Sequence, residues 1–294
     1  EVDLGSRKER YALPLALLWV ENLEGLPLQL ALARVRRTSL VGMVTDAFSQ
    51  REFALAMVEG ILGSAELASP VGADNGGKTT IKFIRQAGLE DLTVNADTQV
   101  RWLSAEQSNS SLIIDSTAVF KLVRRVTPGI HPEAEITRYL TSLGFENIAS
   151  LMGEVVRVDE DGTPHTLGLL QKYVTNQGDA WAWTMAYLSK ALDNAVLTDE
   201  SLDDYDQELL GYAAFAGIMG KRLAELHAAF SRPTDDEAFS PEPASEADVA
   251  QWTDEVTAML NRAFDQLAAN TQWADGATEA TAKGLVSRRA KVLA

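Results

Sequence analysis

The chain has 294 residues, 46% of them hydrophobic, which is enough for a sizeable core and suggests about two domains. Its 26 Lys and Arg stand against 42 Asp and Glu, and the net charge of −16 disfavours an extended surface for nucleic acid or an acidic membrane. The absence of cysteine excludes disulfides and thiolate metal sites and fits a reducing compartment, with cytoplasm the default. The apolar stretch YALPLALLWV is about ten residues long, too short to span a bilayer, and lacks a signal-peptide cleavage pattern; it reads as a core strand. Apolar runs at 11–20, 28–36 and 40–48 suit a small antiparallel sheet. A helix follows, with Phe53, Leu55, Met57, Ile61 and Leu62 at roughly helical spacing. Pro and glycines in SPVGADNGGKTT then break the pattern.

That tract contains GADNGGKT at 72–79, which matches the spacing of a phosphate-binding P-loop. A working P-loop needs a strand before it and a helix beginning at its Lys-Thr, whereas the β-branched TTIKFI that follows favours a strand. The first module closes near residue 98. Strands are then expected at 100–104, 111–115 and 117–124, followed by a helix that starts at Pro132. Ile136, Tyr139, Leu140 and Leu143 form its apolar stripe, and Gly144 ends it. GEVVRVD and HTLGLLQKYV add two strands around the turn EDGTP. Beyond residue 175 the chain reads as helical: Asp179 is positioned to cap one helix, ELLGYAAFAGIMGKRLAELHAAF reads as a core helix, and one or two amphipathic helices follow an acidic loop.

Lys121 is the residue that asks for an explanation. It alternates with Val119 and Val123 on one strand face while Phe120 and Leu122 take the other, so its ammonium either snorkels to water or neutralises an anion. Glu135, flanking the helix stripe, is the candidate carboxylate to pair with it and aim it at a phosphate. The loop AEQSNSS at 105–111 is either an ordinary hairpin turn or a cradle of converging N–H groups for phosphate oxygens. Asn176, Gln177 and Asp179 read equally as a capped turn or as ligand contacts, and His227 reads as a core histidine bridging helices rather than a base. His131 and His165, beside prolines, fall in loops without a role. Trp181, Trp183 and Tyr187 form an aromatic cluster that either packs helices or floors a sugar site.

The segments LSAEQSNSSLII, FKLVRRVTPGIHPEAEITRYL, LLQKYVTNQGDAW and MGKRLAELHAAF resemble the maltokinase family, and YALPLAL and ARVRR…GMVTDAF are most similar to the maltokinase portion fused behind trehalose synthase. The resemblance implies an α+β protein: a β-rich N-terminal cap (1–98), a protein-kinase-like nucleotide lobe close to aminoglycoside phosphotransferases (99–174), and the first helices of an α-helical acceptor lobe (175–294). It implies ATP-dependent phosphorylation of maltose to maltose 1-phosphate. Lys121 would contact ATP phosphates and Glu135 would pair with it. Gln107, Ser108, Asn109, Ser110 and Ser111 would cover the phosphates, Gln171, Tyr173 and Val174 would form the hinge at adenine, and Asp179 would be a further ligand contact. A catalytic loop of His-Gly-Asp type and an Asp-Phe-Glu-like metal segment do not occur up to Ala294. Catalytic residues and Mg²⁺ ligands are therefore expected beyond it, in keeping with a chain cut at both ends and inactive alone. Alternatives are a kinase for another sugar, such as an amino sugar, and a short non-catalytic module that binds nucleotide or docks on trehalose synthase.

Overall fold

The computed structural model describes residues 1–5, 7–20, 31–69, 79–89, 92–103, 109–197 and 202–293. The N-terminal strands are β1 (Val2–Asp3), β2 (Lys8–Tyr11), β3 (Leu15–Val20), β4 (Ala31–Arg37) and β5 (Leu40–Asp46), followed by helix α1 (Arg51–Leu62). Then come β6 (Glu66–Ser69), β7 (Thr79–Arg85), β8 (Val100–Trp102), β9 (Asn109–Ile114), β10 (Ala118–Val123) and β11 (Arg125–Val126). Helix α2 (Pro132–Ser142) leads to β12 (Leu151–Val158) and β13 (Pro164–Lys172). The remainder is helical: α3 (Ala180–Leu197), α4 (Leu202–Phe230), α5 (Glu246–Ala269), α6 (Gly276–Ser287) and α7 (Arg289–Leu293). Two compact units divide the chain, 1–229 and 230–294.

Three antiparallel sheets organise the first unit: β3-β5-β4, β1-β2-β11, and a seven-stranded sheet in the order β6-β7-β12-β13-β10-β9-β8. The large sheet crosses the expected boundary at residue 98. Strands β6 and β7 come from the stretch assigned to the cap, yet β7 pairs with β12 from Gly153↔Arg85 to Val158↔Thr80. Further ties bind the two parts. Arg124 Nη2 meets Asp46 Oδ2 at 2.6 Å and lies over the Phe48 ring, and Trp102 Nε1 donates to the Phe48 carbonyl at 2.8 Å.

The core lies on one face of the large sheet. Phe83, Leu112, Ile114, Phe120, Leu122, Val155 and Leu170 point to that side, where α1 covers them with Ala54, Val58 and Ile61. The approach of α1 is close: a methyl at Gly153 of β12 would overlap Ile61 of α1, and one at Gly60 of α1 would sit 2.6 Å from the Phe83 ring of β7. The β9–β10 hairpin turns through Asp115 and Ser116, both at positive φ, with Thr117 N–H donating to the Ile114 carbonyl at 2.9 Å. Asp115 and Ser116 are the central residues of the turn that this bond closes, and their positive φ matches it to the twist of the flanking strands.

Several expectations are corrected. β3 is no core strand, since Leu15, Leu17 and Trp19 are exposed. α4 is no core helix either; of its described side chains only Ala229 is buried, and Leu210, Ile218 and Leu223 are exposed. On α2 the buried face is Ala134, Thr137, Tyr139 and Leu140, with Ile136 turned outward. His165 is buried in β13 rather than placed in a loop, its Nε2 3.0 Å from Asp159 Oδ2. The P-loop-like tract falls outside the described residues up to Lys78, and a strand, not a helix, begins at Thr79.

Candidate functional site

Residues paired directly across antiparallel strands point to the same face. The pairs Lys121↔Ser111, Lys121↔Leu169, Glu154↔Leu169 and Glu154↔Ile84 therefore lay Ser111, Lys121, Leu169, Glu154 and Ile84 in one row across β9, β10, β13, β12 and β7. This is the face opposite α1. Helix α2 lies on it: Ala134 packs with Leu151 and Leu169, all at 1% exposure or less.

Lys121 Nζ stands 2.5 Å from Glu133 Oε1. The partner is thus Glu133 and not Glu135. The two glutamates lie about 200° apart around the helix at ~100° per residue, so only one can face the sheet. Ala134, between the two glutamates, is the buried contact residue, and Ile136, which follows Glu135, is exposed. Both side chains of the pair are 30% exposed, so it adds roughly 0–1 kcal/mol to stability. An ammonium has three donors, and one carboxylate leaves donors for an incoming anion.

The expected phosphate-covering loop is only partly described. Gln107 and Ser108 lie outside the described residues, and Asn109, Ser110 and Ser111 open strand β9 rather than a loop. Ser110 lies on the α1 side, its Oγ accepting from Arg124 Nε at 3.0 Å. Ser111 is buried beside Lys121. At the expected hinge Gln171 is buried, and two amides are committed: Lys172 N–H to the Ser150 carbonyl at 2.9 Å and Tyr173 N–H to the Thr117 carbonyl at 2.8 Å. Val174 is exposed, with its carbonyl accepting from Asn176 Nδ2 at 3.0 Å. Asp179 caps α3 through Ala182 N–H at 2.7 Å, and Asn176 closes the turn at Gly178. Gln177 is exposed beside them, and His227 is exposed on α4 rather than in a core.

Trp183 and Tyr187 join an aromatic cluster with Tyr212 and Phe215 of α4, the Trp183–Phe215 centroids being 4.4 Å apart, while Trp181 stays exposed. The missed members were legible only through the pairing of two helices. A second charged group was also missed. Arg138 Nη2 donates to both Glu154 oxygens at 2.7 and 2.9 Å, and Gln86 Nε2 donates to Oε1 at 3.0 Å. The signal was a carboxylate amid the apolar run of GEVVRVD, the same anomaly that drew attention to Lys121.

Among the described residues, cavities also lie elsewhere. One of about 530 Å³ is lined by charges already set against each other, such as Lys8 with Glu1 and Arg125 with Glu9. One of about 250 Å³, lined by Phe53, Met57, Phe83 and Phe120, is apolar and on the α1 side. Beside the larger one, burial raises the Asp159 carboxyl, but the Arg157 guanidinium and His165 outweigh it and hold Asp159 below its ordinary value. No group of three or more metal-type ligands occurs among the described residues, and no helix among them is long and apolar enough to cross a membrane.

No protein-family model matches the chain. A glucosamine kinase of Mycolicibacterium smegmatis is 25% identical over 152 residues, which cover 52% of this chain and 34% of that protein. A solved glucosamine kinase, in complex with glucosamine, ADP and inorganic phosphate, superposes with a TM-score of 0.52 at 20% identity over 97% of this chain and 54% of the other. A second crystal form of glucosamine kinase gives 0.52 at 20% identity over 100% and 61%. The chain has the fold of these sugar kinases. It spans about half to three fifths of the length of the solved chains it matches.

Proposed function

We propose that this chain is the nucleotide-binding part of an ATP-dependent sugar kinase whose acceptor is an amino sugar such as glucosamine. The observation that carries the reading is the Lys121–Glu133 pair, held between α2 and the face of the large antiparallel sheet opposite α1, in a fold shared with solved glucosamine kinases. In the reaction the γ-phosphoryl group of ATP passes to a sugar hydroxyl, which loses its proton, and ADP leaves. Lys121 holds phosphate oxygens and Glu133 aims its ammonium. Ser111 lies next to Lys121 on the same face, and Val174, exposed after β13, is the hinge position nearest to solvent. Mg²⁺ would neutralise phosphate charge. Because the chain spans 54–61% of the solved glucosamine kinases, the Mg²⁺ ligands and the base at the acceptor hydroxyl are assigned to the part of the parent protein that this chain does not match.

The relatives favour an amino sugar over maltose, while the maltokinase-like segments around Lys121 and after β13 keep maltose, and with it an association with trehalose synthase, as the second reading. Calorimetric titration of ADP into the chain, with and without Mg²⁺, tests the nucleotide site; weak, Mg²⁺-insensitive binding is expected. Glucosamine and maltose offered side by side to the longer parent protein test the acceptor. Preference for maltose would overturn the amino-sugar assignment, and no nucleotide binding by either protein would overturn the kinase reading.

A further inference from the structure

The Lys121 row carries charge at two points, and α2 answers both. Lys121 on β10 meets Glu133, and two strands away Glu154 on β12 meets Arg138. Between them Leu169 on β13 packs against Ala134. The signs are crossed: the strand cation takes a helix anion, and the strand anion takes a helix cation. The dimensions agree. Two strand spacings are about 9.6 Å and five helical residues rise about 7.5 Å, a difference that long side chains absorb. Glu154 is 2% exposed, so its charge is tolerable only while Arg138 and Gln86 reach it. Leu151 N–H adds a long bond of 3.4 Å to Thr141 Oγ1 further along the helix.

A slide of α2 by one turn would bring Thr137 over Lys121 and Ser142 over Glu154. Neither replaces the lost charge, and the buried carboxylate would stand alone. A rotation that brought Glu135 to the lysine would carry Arg138 off Glu154. One placement of the helix satisfies both ends.

We propose that Arg138 and Glu154 are positioning residues that fix the register of α2 and so hold Glu133 on Lys121. This rests on the kinase reading only for its consequence, that the ammonium is presented to a phosphate; the clamp itself is a statement about the Lys121–Glu133 pair. The pair is read directly by the rate at which an amine-reactive acylating reagent labels Lys121, followed by peptide mass spectrometry, since a carboxylate-bound ammonium is a poor nucleophile. Glu133→Gln sets the rate for an unpaired lysine. The double variant Arg138→Met with Glu154→Met replaces the buried carboxylate and its partly exposed partner by apolar side chains, a change that folded proteins often accept. It is expected to melt near the parent yet label Lys121 several-fold faster, approaching Glu133→Gln. Arg138→Lys keeps a cation at a partly exposed helix position but loses the two-pronged contact, so an intermediate rate is expected.

Parent-like labelling in a folded double variant overturns the clamp. Should the double variant fail to fold, parent-like labelling in Arg138→Lys overturns it alone. ADP is added in a parallel series: protection of Lys121 in the parent chain supports the nucleotide reading, and its absence counts against that reading while leaving the labelling comparison intact. A clamp that fails while ADP still protects falls by itself.

Discussion

Lys121 is cheap to remove and costly to lose. Its pair with Glu133 is part exposed, and methionine fits a strand already flanked by Val119 and Val123. Lys121→Met is expected to leave the melting temperature within a few degrees while weakening ADP binding at least tenfold; unchanged affinity by calorimetry would take Lys121 out of the site. Glu9 makes a different prediction. The Tyr11 hydroxyl, 2.6 Å away, lowers its carboxyl most, burial opposes, and Arg7 and Arg125 add to the lowering. A carboxyl lowered in the folded state stabilises above its ordinary value and loses that contribution as pH falls through the lowered one. Melts between pH 6 and 3 are therefore expected to decline less steeply in Tyr11→Phe than in the parent. Lys121 itself was legible in the sequence because a charge in an apolar strand violates a strong rule. Its partner was not, because a stripe of large apolar residues picked Ile136 as inward-facing. The residue that touches the sheet is the small Ala134, to which such a stripe gives little weight.

Among the elements, α2 and α1 show how much of a sheet's fate is decided by what each face meets. The start of α2 at Pro132 and its end at Gly144, φ +67°, followed from local chemistry that needs no tertiary information. The joining of β7 to β12 did not, since some seventy residues separate them and no local pattern names a distant strand. Glycine also marks crowding between neighbouring strands on the core face of the sheet. Gly168→Ala would drive a methyl against the ring of Phe120, which is fully buried, and is expected to cost about 1–3 kcal/mol by overpacking, visible as a lower midpoint in denaturant. In the 230–294 unit, Ser245 and Asp248 form a reciprocal cap at the start of α5. Ser245→Ala is expected to cost about 1 kcal/mol there. Its hydrogen bonds hold the Asp248 carboxyl below its ordinary value, so the difference between parent and variant should shrink as pH falls through that lowered value.

At the scale of the whole chain the apolar surface is uneven. Trp181, Met185, Leu192, Leu210, Ile218 and Leu223 are exposed on α3 and α4, a burden that ordinary monomers avoid. A net charge of −16 opposes association, so sedimentation of the 294-residue chain is expected to show self-association that grows with salt as repulsion is screened. A sharp monomer at high salt would contradict it. The helical character of this stretch was plain from its apolar period, but its exposure was not, because the pattern that buries a helix in a core also describes one awaiting a partner.

The covering of the large sheet by α1 has a cost in time. Its last partners, the residues of β13, emerge from the ribosome about 110 residues after α1 does. At about 5–20 residues per second, the face formed by Ala54, Val58 and Ile61 waits roughly five to twenty seconds before the surface it fits exists. Vectorial synthesis thus leaves an apolar segment without its destination during that interval, the kind of transiently exposed surface that makes incomplete chains prone to aggregate in a way that the completed protein is not.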